Sequence, residues 1–238
     1  MDKPAPTLEH IACWQYRRGA WRYFQDTIAP ETTLTLHWPK HDPVSLLAFP
    51  QELSQLCLGH AWLEFCNPGE IPGIVTHEAQ NYRLAVTQVY ESPSPAPPAP
   101  QLDPEHILAL RERFMQTPGN WELTGCFHRA AVYDSHEQRF LQTTEDIGRH
   151  NCLDRLAGWA LQEGVDLRAM ILVVTARATA SLVNKAVRAG FRILISQSAV
   201  TTQAVATARQ CDLTLVGFVR EQRLTVFTDR AERIRSSA

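Results

Sequence analysis

Hydrophobic positions along the chain change period several times, and each change marks an element. Leu34, Leu36 and Trp38 alternate with Thr33, Thr35 and His37, the two-residue period of a half-buried strand. Pro39-Lys40-His41-Asp42-Pro43 supplies turn chemistry, and Val44 to Phe49 returns as a second strand that Pro50 stops. From Gln51 to Phe65 the spacing becomes helical, with Leu53, Leu56, Cys57, Ala61, Trp62 and Phe65 on one face and Asn67-Pro68-Gly69 past its end. Tyr82 to Tyr90 reads as a strand. Asp103 before Pro104 is an N-cap and first-turn pair, opening a helix that reaches Gln116. Phe127 to Asp134 and Arg139 to Thr143 are β-rich runs joined by Ser135-His136-Glu137-Gln138, which predicts a hairpin.

Beyond the hairpin, strands and helices alternate. His150 to Gln162 is amphipathic, with Gly164 just past its end. Met170 to Val174 is a continuous apolar run, as expected of a strand buried on both faces. Ala178 to Ala189 reads as helix, Ile193 to Ile195 as strand, and Thr202 to Gln210 as helix behind Thr201 as N-cap. Leu213 to Val219 and Leu224 to Thr228 are the last strands. Short buried strands alternating with helices imply βαβ units and a sheet with a parallel core. We expect three regions: an N-terminal β/α lobe (1–91), a proline-rich linker (92–102) and a larger α/β domain (103–238).

The remaining segments are less patterned. Trp14, Tyr16, Trp21, Tyr23 and Phe24 stand among Arg17, Arg18 and Arg22. The expectation there is an N-terminal segment packing its aromatics onto the main body, with a partner-binding arm as the alternative. Residues 92–100 are dominated by proline and suit an extended spacer.

Composition narrows the function classes. A 45% hydrophobic, 20% charged chain of 238 residues has an ordinary globular make-up, and its net charge of -2 argues against a bulk nucleic-acid binder. No apolar run long enough to span a membrane and no leader-like N-terminus is visible, so a cytoplasmic protein is expected. Six cysteines are scattered without a C-x-x-C pair, and no zinc site is expected.

The chemistry-bearing residues gather where open α/β sheets bind ligands, outside the carboxyl ends of the strands. Those ends lead into Thr175-Ala176-Arg177, into Ser196 to Thr201 (with Ser198), and into Arg220-Glu221-Gln222-Arg223. Arginines and hydroxyls beside helix N-termini suit a phosphorylated, nucleotide-like ligand. The hairpin borders this edge: Gly125, Cys126 and His128 open it, and Glu145, Asp146, Arg149, His150 and Asn151 close it. Glu145 and Asp146 could simply stabilise a helix dipole, and Arg149 could pair with one of them. A Cys126 thiolate could act as nucleophile if His128 or an arginine lowers its pKa.

At these residues the sequence resembles the formate dehydrogenase accessory protein family (FdhD/NarQ). The matching pieces are T-G-C-F-H at 124–128, E-D-I-G-R-H-N-C-L-D at 145–154, T-A-R at 175–177 and N-K-A-V-R-A-G at 184–190. They continue with S-A-V-T at 198–201, T-L-V-G-F-V-R at 214–220 and L-T-V-F-T at 224–228, with a weaker P-Q-E-L-S-Q-L-C-L-G at 50–59. The resemblance implies a cytidine-deaminase-like mixed sheet with a parallel core flanked by helices, and a homodimer. It implies an accessory factor that takes sulfur from a cysteine desulfurase as a persulfide. The factor passes that sulfur to Mo-bis(molybdopterin guanine dinucleotide), bound as cargo, before the cofactor enters a formate dehydrogenase-type enzyme. It also implies that Phe218, Val219, Arg220, Glu221, Gln222 and Arg223 contribute to binding that cofactor. The family's sulfur-carrying cysteines form a C-x-x-C loop between the strand before Tyr90 and the helix after Asp103. Here no cysteine occurs from Asn67 to Gly125. Two readings follow: Cys126 substitutes as the thiol, or sulfur transfer is lost and a cofactor-binding chaperone remains. A zinc deaminase on the same fold would need H-x-E with P-C-x-x-C, and neither occurs.

Overall fold

A computed structural model describes residues 8–90, 95 and 97–235. The leader-free reading of the N-terminus and part of the expected spacer (92–94 and 96) fall outside the described residues.

The first element corrects an expectation. β1 (Glu9–Arg17) and β2 (Ala20–Ile28) pair only with each other as an antiparallel hairpin. Arg18 and Gly19 form its two-residue turn at φ 52 and 83, the double positive φ of a type I′ connection. Trp14, Tyr16, Trp21 and Tyr23 do not pack onto the main body: their side chains are 65%, 59%, 66% and 62% exposed. They satisfy one another instead, in cross-strand pairs Trp14–Tyr23 and Tyr16–Trp21, each with ring centroids 5.1 Å apart.

The lobe that follows holds β3 (Thr32–His37), β4 (Val44–Ala48), α1 (Leu53–Glu64), β5 (Glu70–Glu78) and β6 (Asn81–Val89). Its sheet has the order β4-β3-β6-β5, with β3 and β6 parallel. Strand β5 has no counterpart in the sequence reading. Pro72 and Gly73 interrupt its pattern, and as an edge strand with register shifts it tolerates both. Leu34, Leu36, Tyr82 and Leu84 cover Leu56, Cys57 and Ala61 of α1.

The larger unit contains α2 (Pro104–Gln116), the single turn α3 (Trp121–Thr124), β7 (His128–Asp134), β8 (Arg139–Asp146), α4 (Arg149–Glu163) and β9 (Ile171–Val174). It continues through α5 (Ala180–Arg188), β10 (Ile193–Ser196), α6 (Thr202–Gln210), β11 (Thr214–Arg220) and β12 (Arg223–Thr228). The sheet order is β12-β11-β10-β9-β7-β8. Strands β9, β10 and β11 are parallel, while β7, β8 and β12 are antiparallel to their neighbours. This is the expected mixed sheet with a parallel core flanked by helices. Alternation sorts its two faces: Leu172 and Val174 face the core shared with α4, α5 and α6, whereas Ile171 and Val173 face Ile107, Leu110 and Phe114 of α2. Among the described residues no helix is long and apolar enough to cross a membrane.

Lobe and main unit meet where α1 crosses α4. A Cβ at Gly59 would lie 1.7 Å from the Asp154 carbonyl oxygen, and one at Gly158 would lie 1.9 Å from that of Gln55. The two backbones touch because both positions lack a side chain, so apolar residues of α1 reach two cores at once: Leu63 joins the α4 side while Leu56 stays under the small sheet. Gly59→Ala or Gly158→Ala should force the helices apart and lower unfolding stability by about 2–3 kcal/mol. A shift of the urea midpoint at unchanged m-value checks this.

Candidate functional site at the carboxyl edge of the main sheet

The topology gathers most of the expected site residues at one edge. Strands β9, β10 and β11 end there, and β7 runs the other way, so its first residue His128 starts there. The final residues of β8 pair with it, His128 opposite Asp146 and Arg129 opposite Glu145. Helices α4, α5 and α6 begin there with N-caps Gly148, Thr179 and Thr201. The loops after β9 and β10 are zipped together: Ala178 and Val200 form a parallel bridge, closed by Ala178 N–H to Ala199 O (2.9 Å) and Thr201 N–H to Ala178 O (3.1 Å).

Some of these residues prove to be fully committed to the scaffold. Glu145 and Asp146 are not in a helix's first turn but at the end of β8. Asp146 is 0% exposed. One carboxylate oxygen accepts the Gly148 N–H (2.9 Å) and Asn151 Nδ2 (2.8 Å), and the other accepts Arg155 Nε (2.9 Å) and Nη2 (2.6 Å). Asn151 also donates to the Leu47 carbonyl, and Arg155 to those of Phe49 and Gln51. Asp146 and Asn151 therefore fix the start of α4 and dock it on the lobe. Glu145 accepts the Asn120 N–H at 2.7 Å and lies 3.2 Å from Arg129 Nε. Its partner is thus Arg129, where the sequence suggested Arg149. Thr201 caps α6 by accepting the Ala204 N–H (3.3 Å). Val219 is buried in the core beneath α2, so its side chain faces away from any ligand. Asp154, one helical turn from His150, pairs instead with Lys185 Nζ (2.6 Å) and His60 Nδ1 (3.0 Å).

With both carboxylates spent, the edge is left basic. Among the described residues, Arg149 forms no ion pair within 4.0 Å with a carboxylate, and its buried Nε meets no hydrogen-bond acceptor. Arg177 is exposed at the end of the β9 loop. Burial first, then the charges of Arg149 and Arg177, lower the pKa of His128 against the opposing pull of Asp146. Burial, then Arg149 and Lys185, lower that of His150, whose Nε2 lies 2.9 Å from Ser181 Oγ. Two neutral imidazoles beside two guanidiniums leave the edge positively charged without like-charge repulsion from the histidines.

The β11–β12 hairpin adds a flat surface. Glu221 and Gln222 form its exposed two-residue turn at φ 52 and 57, and Phe218 sits at φ 52 in a bulge between Gly217 and Arg220. The Phe218 N–H donates to Ser198 O (2.9 Å), which pins the bulge to the β10 loop. Arg223 lies 5.5 Å over the Phe218 ring, and Arg220 approaches Glu221 at 4.0 Å.

Cys126 opens a separate recess of about 320 Å³, lined also by Met115, Trp121, Phe127, His128, Thr175 and Gln197. Its Sγ accepts from the Thr124 hydroxyl (3.6 Å), so its hydrogen-bond partner is Thr124 and not His128. The buried Gln197 Oε1 has no partner. The sequence placed Met115 only as an apolar residue of the helix that reaches Gln116, and it singled out neither Trp121 nor Arg129, which is 2% exposed behind the recess. A charged residue inside the apolar run R-A-A-V-Y was the available signal, because such a residue is buried with its strand and needs built-in partners. Three of the other thiols differ in kind: burial pushes Cys57 up to about 12 and Cys66 up to about 11, and raises Cys152 further still, whereas Cys211 is exposed and Cys13 half-buried. Among the described residues no three His, Cys, Asp or Glu side chains gather as metal ligands.

Comparison with known proteins gives a consistent picture. Residues 74–235 match the family model described as the FdhD/NarQ family. The sulfur carrier protein FdhD of Bacillus subtilis (strain 168) is 28% identical over 264 aligned positions, covering 93% of this chain and 95% of that protein. The sulfur carrier protein FdhD of Streptomyces avermitilis is 38% identical over 131 positions, covering 55% and 46%. The crystal structure of a protein described as a formate dehydrogenase accessory protein from Desulfotalea psychrophila superposes with a TM-score of 0.81 at 22% identity, over 97% of this chain and 100% of that one.

The depressed imidazoles carry a pH consequence. A histidine with a folded pKa below its unfolded value of about 6.5 supports the fold above that pH and loses its contribution as pH falls toward the folded value. Urea midpoints should therefore drop between pH 7.5 and 5.5. His128→Gln should make the drop shallower, and an unchanged slope would contradict the assignment.

Proposed function

The chain belongs to the FdhD/NarQ family, and from that premise we propose that it serves the maturation of a formate dehydrogenase-type molybdenum enzyme. In this reading it holds the Mo-bis(molybdopterin guanine dinucleotide) cofactor, as cargo, at the carboxyl edge of the main sheet. The observation that carries the reading is the pair Arg149 and Arg177 beside His128, neither of which forms an ion pair with a carboxylate among the described residues. Guanidiniums clamp phosphate oxygens through paired N–H groups, and the first turns of α4 and α5 add free backbone N–H donors and their dipoles. Neutral His128 and His150 can donate one hydrogen bond each without repelling the arginines. Phe218 with Arg223 above it, and Ser198 beneath the bulge, support a planar ring system at the far end of the edge. Its setting is the cytoplasm, and its partners are a cysteine desulfurase and the client enzyme.

Cys126 supports a second reading within the first. It is exposed and opens beside His128, whereas Cys57, Cys66 and Cys152 are buried with raised pKa values. As a sulfur carrier, the Cys126 thiolate would attack the terminal sulfur of a desulfurase persulfide. One S–S bond breaks, one forms on Cys126, and the donor cysteine leaves as thiolate, with no net redox change. Without this step the chain is a cofactor-binding chaperone.

Two measurements follow. Titration with guanosine diphosphate should show saturable binding, and Arg149→Ala or Arg177→Ala should weaken it roughly tenfold to a hundredfold, the worth of a charge-assisted hydrogen bond. Absence of binding by the unmodified protein would reject the cofactor reading. After incubation with a cysteine desulfurase and cysteine, intact-mass analysis should show +32 Da on the wild type and none on Cys126→Ala. Equal loading of the two would sink the carrier role of Cys126.

A further inference from the structure

A cavity of about 390 Å³ lies at the β8 edge of the main sheet, closed by the 117–120 turn and by Gln51 and Glu52 just before α1. None of Arg149, Arg177, His128 and His150 lines it. Apart from Pro118 and Gly119, every side chain around it is polar. Neighbours along a strand point to opposite faces, so Arg129 turns away from His128, and its guanidinium lies 5.1 Å over the Phe114 ring. The polar groups here are incomplete. Arg129 is 2% exposed, yet its Nε and Nη1 meet no hydrogen-bond acceptor, and Glu122 approaches Nη1 only to 3.8 Å. Thr144, 6% exposed, has an unpartnered hydroxyl. Glu145 uses one oxygen to accept the Asn120 N–H, and its Oε1 accepts nothing. Arg155 also lines the cavity, but all three of its guanidinium nitrogens are engaged elsewhere. Buried polar groups are nearly always paired, so three unpartnered ones around a single cavity mark a place that a ligand completes.

We propose that this cavity binds a free α-amino acid with a polar side chain, its carboxylate on Arg129 and its ammonium on Oε1 of Glu145. Charge identifies the class. Arg129 Nε and Glu145 Oε1 stand 3.2 Å apart, near enough for their charges to offset but not hydrogen-bonded to each other. A simple anion placed there would face Glu145, and a simple amine would face Arg129. A zwitterion meets both with charge-assisted hydrogen bonds, and its two charged ends are held close together on one carbon. The hydroxyl of Thr144 and the amides of Gln51, Asn120 and Gln142 line the remaining space, which suits a polar side chain over an apolar one. The volume falls within the range of small-molecule sites.

Isothermal titration and saturation-transfer NMR of the full chain with L-asparagine, L-glutamine and L-serine should show saturable binding of at least one. The N-acetyl and methyl ester forms of that amino acid, each lacking one charge, should not bind, and neither inorganic phosphate nor putrescine should compete. Glu145→Gln and Arg129→Met should each weaken binding roughly tenfold or more, the worth of a charge-assisted hydrogen bond. Loss of a buried arginine can disturb folding, so Gln142→Trp supplies an independent test. It adds bulk from β8 into the cavity and leaves both charges in place. This variant should lose amino acid binding while its far-UV circular dichroism and guanosine diphosphate titration match those of the wild type. A cavity that holds water only, with none of the three amino acids bound, would overturn the proposal. So would equal binding of the acetylated or esterified form, or a Gln142→Trp variant that binds as the wild type does. Guanosine diphosphate is titrated separately, so failure of the cofactor reading is told apart from failure here.

Discussion

The ion pair between Asp146 and Arg155 is the contact on which the rest of the structure hangs. Both side chains are out of water, and desolvating them is offset because each Asp146 oxygen accepts two hydrogen bonds and all three Arg155 guanidinium nitrogens donate. Those engagements belong to four different parts of the chain: the end of β8, the Gly148 turn, the body of α4 and the 47–51 segment of the lobe. Removing either charge would leave the other buried and uncompensated, at a cost of about 3–5 kcal/mol. The same commitment shapes the chemistry. Asp146 is spent on the scaffold and Glu145 on Arg129, and among the described residues neither Arg149 nor Arg177 has an ion pair with a carboxylate. The electropositive edge is a by-product of how the fold is tied together.

Much of this was legible in the sequence, and the exceptions have physical causes. Ile171 to Val174 and Ile193 to Ser196 were readable because strands covered on both faces leave continuous apolar runs. The placement of Arg177, Ser198 and the Arg220–Arg223 turn at one edge followed from the parallel order alone. Which residues at that edge are free for a ligand did not, since Asp146 and Asn151 look as available in sequence as Arg149. Burial of Arg129 and Arg155 was hidden because charged residues read as surface by default. Strand β5 was masked by Pro72 and Gly73, which only an edge strand tolerates. The N-terminal aromatics misled in the opposite direction: size suggested burial, whereas they pack across a two-stranded ribbon whose Arg18-Gly19 turn lacks the asparagine or aspartate that usually announces it.

Sulfur chemistry divides the cysteines by environment. Cys57, Cys66 and Cys152 are small hydrophobes that hold their protons, so they fill the core without inviting oxidation or exchange. Cys126 is held by the αL turn at Gly125 (φ 70) and the Thr124 hydroxyl, at the mouth of a recess walled by Trp121 and Phe127. Because α3 also touches the aromatic hairpin, the recess and the hairpin face are neighbours.

The glycine crossing of α1 over α4 bears on cooperativity. Two sheets in one chain would ordinarily be expected to melt as two units, each with its own hydrophobic core. Here α1 contributes to both cores, Gly59 and Gly158 bring its backbone against α4, and Arg155 takes two of its acceptors from the lobe. Loosening the lobe would strip Arg155 of partners and so release Asp146 and the start of α4. The basic edge of the main sheet and the small sheet are thus expected to behave as one thermodynamic unit, lost in a single transition.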